Sequence, residues 1–148
     1  MTVEGVQTGE KEYAGDVTVQ EAWEMLKSRP DTVLIDVRTN AEWGYVGIPD
    51  LSSLSKETKL VSWILFPDMS VNPSFLDGVK AAQPDPSAPV LFLCRSGVRS
   101  IAAAIAATKA GFSESYNILG GFEGDMDENR HRGKTGGWKV ADLDWVQS

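Results

Sequence analysis

Short apolar runs alternating with helix-patterned segments constrain this chain more than any other feature. Val33-Leu34-Ile35-Asp36-Val37 and Val90-Leu91-Phe92-Leu93-Cys94 are rich in β-branched and large apolar side chains, with almost no polar alternation. That is the pattern of strands buried on both faces of a parallel sheet. Leu60 to Phe66, closed by Pro67-Asp68, and Tyr116 to Leu119 read as further strands. Helical segments lie between them. Thr18 followed by Glu21 forms a capping box, opening a helix to about Ser28 whose stripe is Val19, Trp23 and Leu26. Arg29-Pro30-Asp31 ends it, because the residue before a proline is driven out of the α region. Asn72-Pro73 reads as an N-cap with proline in the first helical position, ahead of Phe75, Leu76 and Val79. The alanine-rich stretch Ser100 to Ala110 is a third helix, with Gly111 where a C′ glycine belongs. Alternating strands and helices predict an α/β domain with a mostly parallel sheet.

At 148 residues the chain is long enough for one domain with its own core. Residues 1–14 are polar and aperiodic and are expected to form a flexible lead-in, with order beginning near Val17 and the domain occupying 15–148. Glu123 to Lys139 is the least regular stretch, rich in charge and glycine, and from its end onward Trp138, Leu143 and Trp145 return apolar mass that is expected to pack back.

One cysteine and one histidine exclude an internal disulfide and cannot furnish a zinc site or a cysteine-ligated iron–sulfur cluster. Fourteen Lys and Arg against 21 Asp and Glu leave a net charge of −7, which disfavours nucleic acid and anionic membrane surfaces as partners. The amino terminus lacks the apolar core of a secretory signal, and no stretch approaches a spanning helix. The expected address is cytoplasmic, where a single thiol stays reduced.

The chemistry converges on Cys94-Arg95-Ser96-Gly97-Val98-Arg99-Ser100, between the best strand and the most helix-prone segment. Ligands of open α/β sheets bind at the carboxyl ends of strands. A turn entering a helix there directs backbone N–H groups and the positive end of the helix dipole at one spot, which favours an anion, a thiolate included. From Pro86 to Ser113 there is no Asp or Glu, while Arg95, Arg99 and Lys109 contribute +3. Gly97 allows a tight turn and a close approach to a ligand. A cysteine closing a core strand is in isolation only a small buried residue. Its setting here points to a functional, anion-binding thiol.

These residues are part of a wider resemblance, to the rhodanese-like domains, best known as sulfurtransferases. Leu34-Ile35-Asp36-Val37-Arg38, Glu42-Trp43 and Ile48-Pro49 resemble the family's amino-terminal signature. Cys94 to Arg99 resembles its six-residue active-site loop, with Ser100 starting the helix, and Asn117-Ile118-Leu119-Gly120-Gly121-Phe122 resembles the strand and glycine pair that follow. Val46-Gly47 and Asp50-Leu51 depart from the family's usual Gly-His before Ile-Pro and Gly-Ala after it, and the segment from Glu123 to Gly137 is longer than the usual connection.

The resemblance implies a three-layer domain with a five-stranded sheet flanked by helices. It also implies a two-step transfer in which Cys94 takes the outer sulfur of a small anionic donor such as thiosulfate, becoming a persulfide, and yields it to cyanide or a thiol, a protein thiol included. Ping-pong kinetics are expected of such covalent catalysis. No metal or organic cofactor is implied. The substrate and persulfide loop would be Arg95, Ser96, Gly97, Val98, Arg99 and Ser100, with its N–H groups around the terminal sulfur. Arg95, directly after the cysteine, resembles family members that use thiosulfate rather than mercaptopyruvate. Arg99 either grips the donor or ties the loop shut.

Asp36, Arg38 and Glu42 would stand behind the loop, the expected arrangement being an ion-pair network with Arg38 on Glu42. His131 is expected at the surface, and Trp63, Phe66 and Trp138 either in the core or walling the pocket. A related phosphatase or arsenate reductase loop needs Cys-x5-Arg, and position 100 is serine here, which disfavours both. The alternative is a non-catalytic module that carries or senses sulfur for a partner protein.

Overall fold

The computed structural model describes residues 12–39, 43, 48–49, 51–65, 70–94, 98–119 and 145–146. Its centre is a five-stranded sheet of β1 (Gly15–Val17), β8 (Ser115–Ile118), β7 (Val90–Leu93), β2 (Val33–Asp36) and β4 (Lys59–Leu60), in that spatial order. Every pairing within it is parallel. Two small antiparallel pairs stand apart from it: β3 (Ile48–Pro49) with β9 (Trp145–Val146), and β5 (Ile64–Leu65) with β6 (Ser70–Val71). The first of these returns the end of the chain to the domain.

Side chains alternate across the sheet and build two cores. Leu34, Leu91, Leu93 and Ile118 face α1 (Val19–Ser28), burying Val19, Ala22 and Leu26. Ile35, Val37, Val90 and Phe92 face α2 (Phe75–Ala82) and α3 (Val98–Lys109), and Cys94 belongs to this second core with Ala103, Ala104 and Ala107. Helices on both faces make the three layers that the resemblance implies. The reason is visible in β7, where all four residues are buried and neither face can meet water.

Local rules account for the helix ends. The Thr18 hydroxyl accepts from the Glu21 N–H at 3.0 Å and the Glu21 carboxylate accepts from the Thr18 N–H at 2.8 Å, the expected capping box. Gly111, at φ +109°, lets the Phe112 N–H reach the Ala107 carbonyl and its own N–H reach Thr108, closing α3 in a Schellman turn.

Three sequence expectations need correction. The run Leu60 to Phe66 is not one strand: β4 ends at Leu60 and β5 begins at Ile64, because after the Val61 N–H has bonded the Asp36 carbonyl the Trp63 N–H bonds Val37 rather than Arg38, out of the parallel register. Asn72 does not cap α2 directly. Its side chain accepts from the Ser74 N–H at 2.9 Å and donates to the Ser62 carbonyl at 3.0 Å, an Asx turn one step before the helix. The third helix starts at Val98 rather than Ser100, which carries Ser100 into its first turn. β1 itself has no signal in the sequence, being three residues, one of them glycine, that gain their pairing only from β8.

Gly78 marks where α2 meets the segment after β4, since a Cβ there would stand 2.5 Å from Val61 Cγ1. Alanine normally favours a helix over glycine by about 1 kcal/mol. Here overpacking of about 1–3 kcal/mol should dominate. Gly78→Ala is therefore expected to lower the denaturation midpoint, and to raise it in a Val61→Ala background. A rise in the Val61-containing protein would contradict the close approach.

Candidate active site

Parallel strands place their carboxyl ends on one rim, and Cys94 sits there, directly after the central strand β7 and four residues before α3. It continues the Val90, Phe92 alternation, so its side chain enters the layer between sheet and α3, where it is 1% exposed. Trp63 is used as core packing in the same layer, edge-on to Phe75 with ring centroids 5.0 Å apart.

The thiol is not in a purely apolar setting. Cys94 Sγ lies 3.3 Å from Ser100 Oγ, which reaches down from the first turn of α3 and is fully buried. Ser100 Oγ donates to Asn117 Oδ1 at 2.5 Å, Asn117 Nδ2 donates to Asp16 Oδ1 at 3.0 Å, and Tyr13 OH donates to the same Asp16 oxygen at 2.8 Å. Register explains the alignment. Phe92, Asn117 and Asp16 are paired neighbours across β7, β8 and β1, so their side chains share the α3 face. A polar chain thus runs from the thiol across three strands to the half-buried Tyr13.

Asp36 and Arg38 form a second buried cluster on the same rim. Arg38 Nε donates to Asp36 Oδ1 at 2.9 Å and an Arg38 terminal nitrogen donates to Oδ2 at 2.6 Å, with both side chains fully buried. The Arg38 backbone N–H also donates to Asp36 Oδ1, at 3.1 Å. Asp36 pairs in register with Leu93 and follows the Leu34 face, so this ion pair stands on the α1 side of the sheet and the thiol on the other. The structure therefore pairs Arg38 with Asp36, the last residue of β2, while Glu42 lies outside the described residues.

Of the other residues singled out from sequence, Arg99 is half-buried in the first turn of α3. Arg95, Ser96 and Gly97, with Phe66, His131 and Trp138, lie outside the described residues, and Val98 is placed only by its backbone as the start of α3. Sequence reasoning quoted Asn117 only as part of a motif and passed over Asp16 and Tyr13. An amide facing inward from an apolar strand was the available signal, since a buried amide needs partners.

A cleft of about 580 Å³ lies at the opposite end of the sheet, lined by Leu26, Asp31, Val33, Lys56, Lys59 and Gln83 among others. Lys56 Nζ is engaged there by the Pro30 and Thr32 carbonyls at 2.8 Å each, and its burial lowers the affinity of the amine for its proton. The cleft is at the amino ends of β2 and β4, far along the strands from Cys94. No described helix is long and apolar enough to cross a membrane.

Comparison with known proteins agrees with this geometry. The crystal structure of Rv0390 from M. tuberculosis superposes with a TM-score of 0.85 at 50% identity, over 92% of this chain and 99% of that one. The polysulfide-sulfur transferase of Wolinella succinogenes shares the fold, with a TM-score of 0.64 at 23% identity, over 93% of this chain and 80% of that one. An uncharacterized Rickettsia conorii protein, RC0915, is 38% identical over 125 residues, 84% of this chain and 90% of its own length. The model of the rhodanese-like domain matches residues 18–128, from the Thr18 cap through the strand, thiol and helix described above, and the chain belongs to that family.

Proposed function

We propose that this protein is a sulfurtransferase that moves a sulfane sulfur from thiosulfate, or a similar small anionic donor, to cyanide or a thiol through a persulfide on Cys94. The Cys94 thiolate attacks the outer sulfur, the donor's S–S bond breaks, and sulfite leaves with the bonding pair. The acceptor then attacks the terminal sulfur of the persulfide, and the Cys94 thiolate is the leaving group. Atoms and electrons balance without a metal or redox cofactor.

The observation that carries this reading is the position of Cys94. It is the chain's single thiol, at the carboxyl end of the central strand and at the entry to a twelve-residue helix. The helix dipole favours negative charge at that spot, both on the thiolate and on the incoming donor. Ser96, Gly97, Val98 and Arg99 would contribute backbone N–H groups around the terminal sulfur, and Arg95 would pair with the donor dianion. The proposed domain is 15–148, following a lead-in of 1–14, and the proposed compartment is the cytoplasm.

Intact mass after thiosulfate treatment tests the reading. It should rise by one sulfur atom and return to the starting value on addition of cyanide, with thiocyanate released. Absence of a gain with either thiosulfate or mercaptopyruvate refutes the persulfide. A gain without turnover identifies a relay that delivers sulfur to a partner protein. In Arg95→Ala the gain from thiosulfate should slow about tenfold or more, for loss of a charge-assisted hydrogen bond, and more than the gain from mercaptopyruvate.

A further inference from the structure

The cleft at the amino ends of β2 and β4 holds an amine whose setting is built from both its walls. On one wall, a short 3-10 turn at Ser52–Leu54 fixes the backbone of Lys56. Ser55 closes that turn in the left-handed region, at φ +57°, with its N–H on the Ser52 carbonyl at 3.0 Å and the Lys56 N–H on the Leu51 carbonyl at 3.2 Å. Leu51 is buried in the α1-side core and anchors the turn. On the other wall, between α1 and β2, the Pro30 and Thr32 carbonyls each accept from Lys56 Nζ at 2.8 Å. The Asp31 carbonyl between them accepts from Gln83 Nε2 at 2.7 Å, so three successive carbonyls are held by side chains from outside their own turn.

A saturated amine nitrogen is tetrahedral. One position of Lys56 Nζ is Cε, and two carry the protons given to Pro30 and Thr32. The fourth carries a proton when the amine is charged and the lone pair when it is neutral, and in both states it points away from the two carbonyls. Losing the third proton therefore costs neither hydrogen bond. Half-burial disfavours the charge and lowers the affinity of the amine for its proton, against the opposing pull of the Asp31 carboxylate. The other charged groups lining the cleft are Glu57 and Lys59, which pair with each other at 3.6 Å. Among the described residues no further side chain meets Lys56 Nζ, which leaves its fourth position open.

The geometry points to Lys56 as an acylation site, its amine aimed by the Pro30 and Thr32 carbonyls at an acyl phosphate entering the cleft. The nitrogen lone pair attacks the acyl carbon and the C–N bond forms. The bond from that carbon to the phosphate oxygen breaks, and phosphate leaves with the electron pair and takes up the surplus proton of the amine. About 580 Å³ is room for a small acyl group and its phosphate. The product amide has one N–H where the amine had two, so it serves only one of the two carbonyls. Acylation thus frees one carbonyl, removes the positive charge beside Asp31 and unties the Ser52–Leu54 turn from the turn after α1.

Acetyl phosphate added to the intact chain at neutral pH is the test, with acetylation followed at each lysine by mass spectrometry. Lys56 should react about threefold or more faster than Lys27 and Lys80, exposed on α1 and α2, and than its neighbour Lys59. The gap should narrow as pH rises and free amine ceases to be scarce, and it should vanish in urea, where the carbonyls no longer aim the nitrogen. Equal or slower reaction of Lys56 overturns the inference. A preference that survives unfolding also overturns it, because it would belong to the local sequence rather than to the fold. Hydrogen exchange on the acetylated protein reads the consequence: the Ser55 and Lys56 N–H groups should exchange about tenfold or more faster than in the unmodified chain. Unchanged exchange there would refute the untying. Neither measurement involves Cys94 or a sulfur donor, so the proposed sulfur transfer stands or falls separately.

Discussion

Cys94→Ala should abolish sulfur transfer, with thiocyanate formation from thiosulfate and cyanide falling at least about 10³-fold to the uncatalysed background. The reason is stoichiometric as much as energetic. The persulfide needs a sulfur nucleophile, and the chain has no second cysteine to substitute for it. Ser100, 3.3 Å away, offers an oxygen that is a far weaker nucleophile at neutral pH and is already committed to Asn117. The variant should remain folded, because deleting one sulfur from the core leaves a small cavity costing about 1 kcal/mol. Steady-state turnover and a thermal melt on the same sample separate the two effects. Turnover within tenfold of the wild type would remove Cys94 from the mechanism, and with it the proposed function.

Arg38→Met is expected to destabilise the fold by about 3–5 kcal/mol, close to the limit for a single substitution. Arg38 and Asp36 are both fully buried, and Asp36 takes donors from the Arg38 side chain and from the Arg38 backbone. Methionine fills much the same volume but leaves a carboxylate inside the protein without its countercharge. That penalty, rather than the strength of the ion pair, sets the size of the loss.

The double variant Asp36→Leu, Arg38→Met should recover most of it, because a buried pair contributes little net stability over apolar groups of similar volume. A coupling energy below about 1 kcal/mol in that cycle, measured by urea unfolding, would show that the pair is effectively solvated. The same site has a local role. The Arg38 carbonyl accepts from Ser62 Oγ at 2.9 Å, and the Val37 carbonyl accepts from the Trp63 N–H at 3.0 Å. Loss of the pair should therefore loosen the segment that carries Trp63 as well as the strand.

The elements that were legible from the chain are those whose stability is written locally. α1 carries its capping box and its apolar stripe within a dozen residues, and β7 is apolar throughout because both its faces are covered. Cys94 and the helix after it follow from the same juxtaposition of strand, turn and alanine-rich segment. The three residues of β1 have no such signature. They become a strand because β8 offers them an unpaired edge, with Gly15, Asp16 and Val17 opposite Tyr116, Asn117 and Ile118. Likewise the apolar run after Leu60 reads as continuous, yet it leaves the parallel register at Trp63, whose N–H bonds the Val37 carbonyl.

The sequence by itself determined the α/β alternation, the place of the thiol and the ionic character of the segment around it, because pattern, capping and charge act over a few neighbouring residues. Only the tertiary structure decided what stands behind that thiol. Asp16 and Asn117 are 101 residues apart in the chain. With Tyr13 and Ser100 they meet through the parallel register of β1, β8 and β7 and the descent of α3. The fold also assigned Arg38 to Asp36, where the chain leaving β2 turns the guanidinium back onto the last residue of the strand. Hydrogen-bond polarity across strands is a property of partners brought together by folding, and no local pattern encodes it.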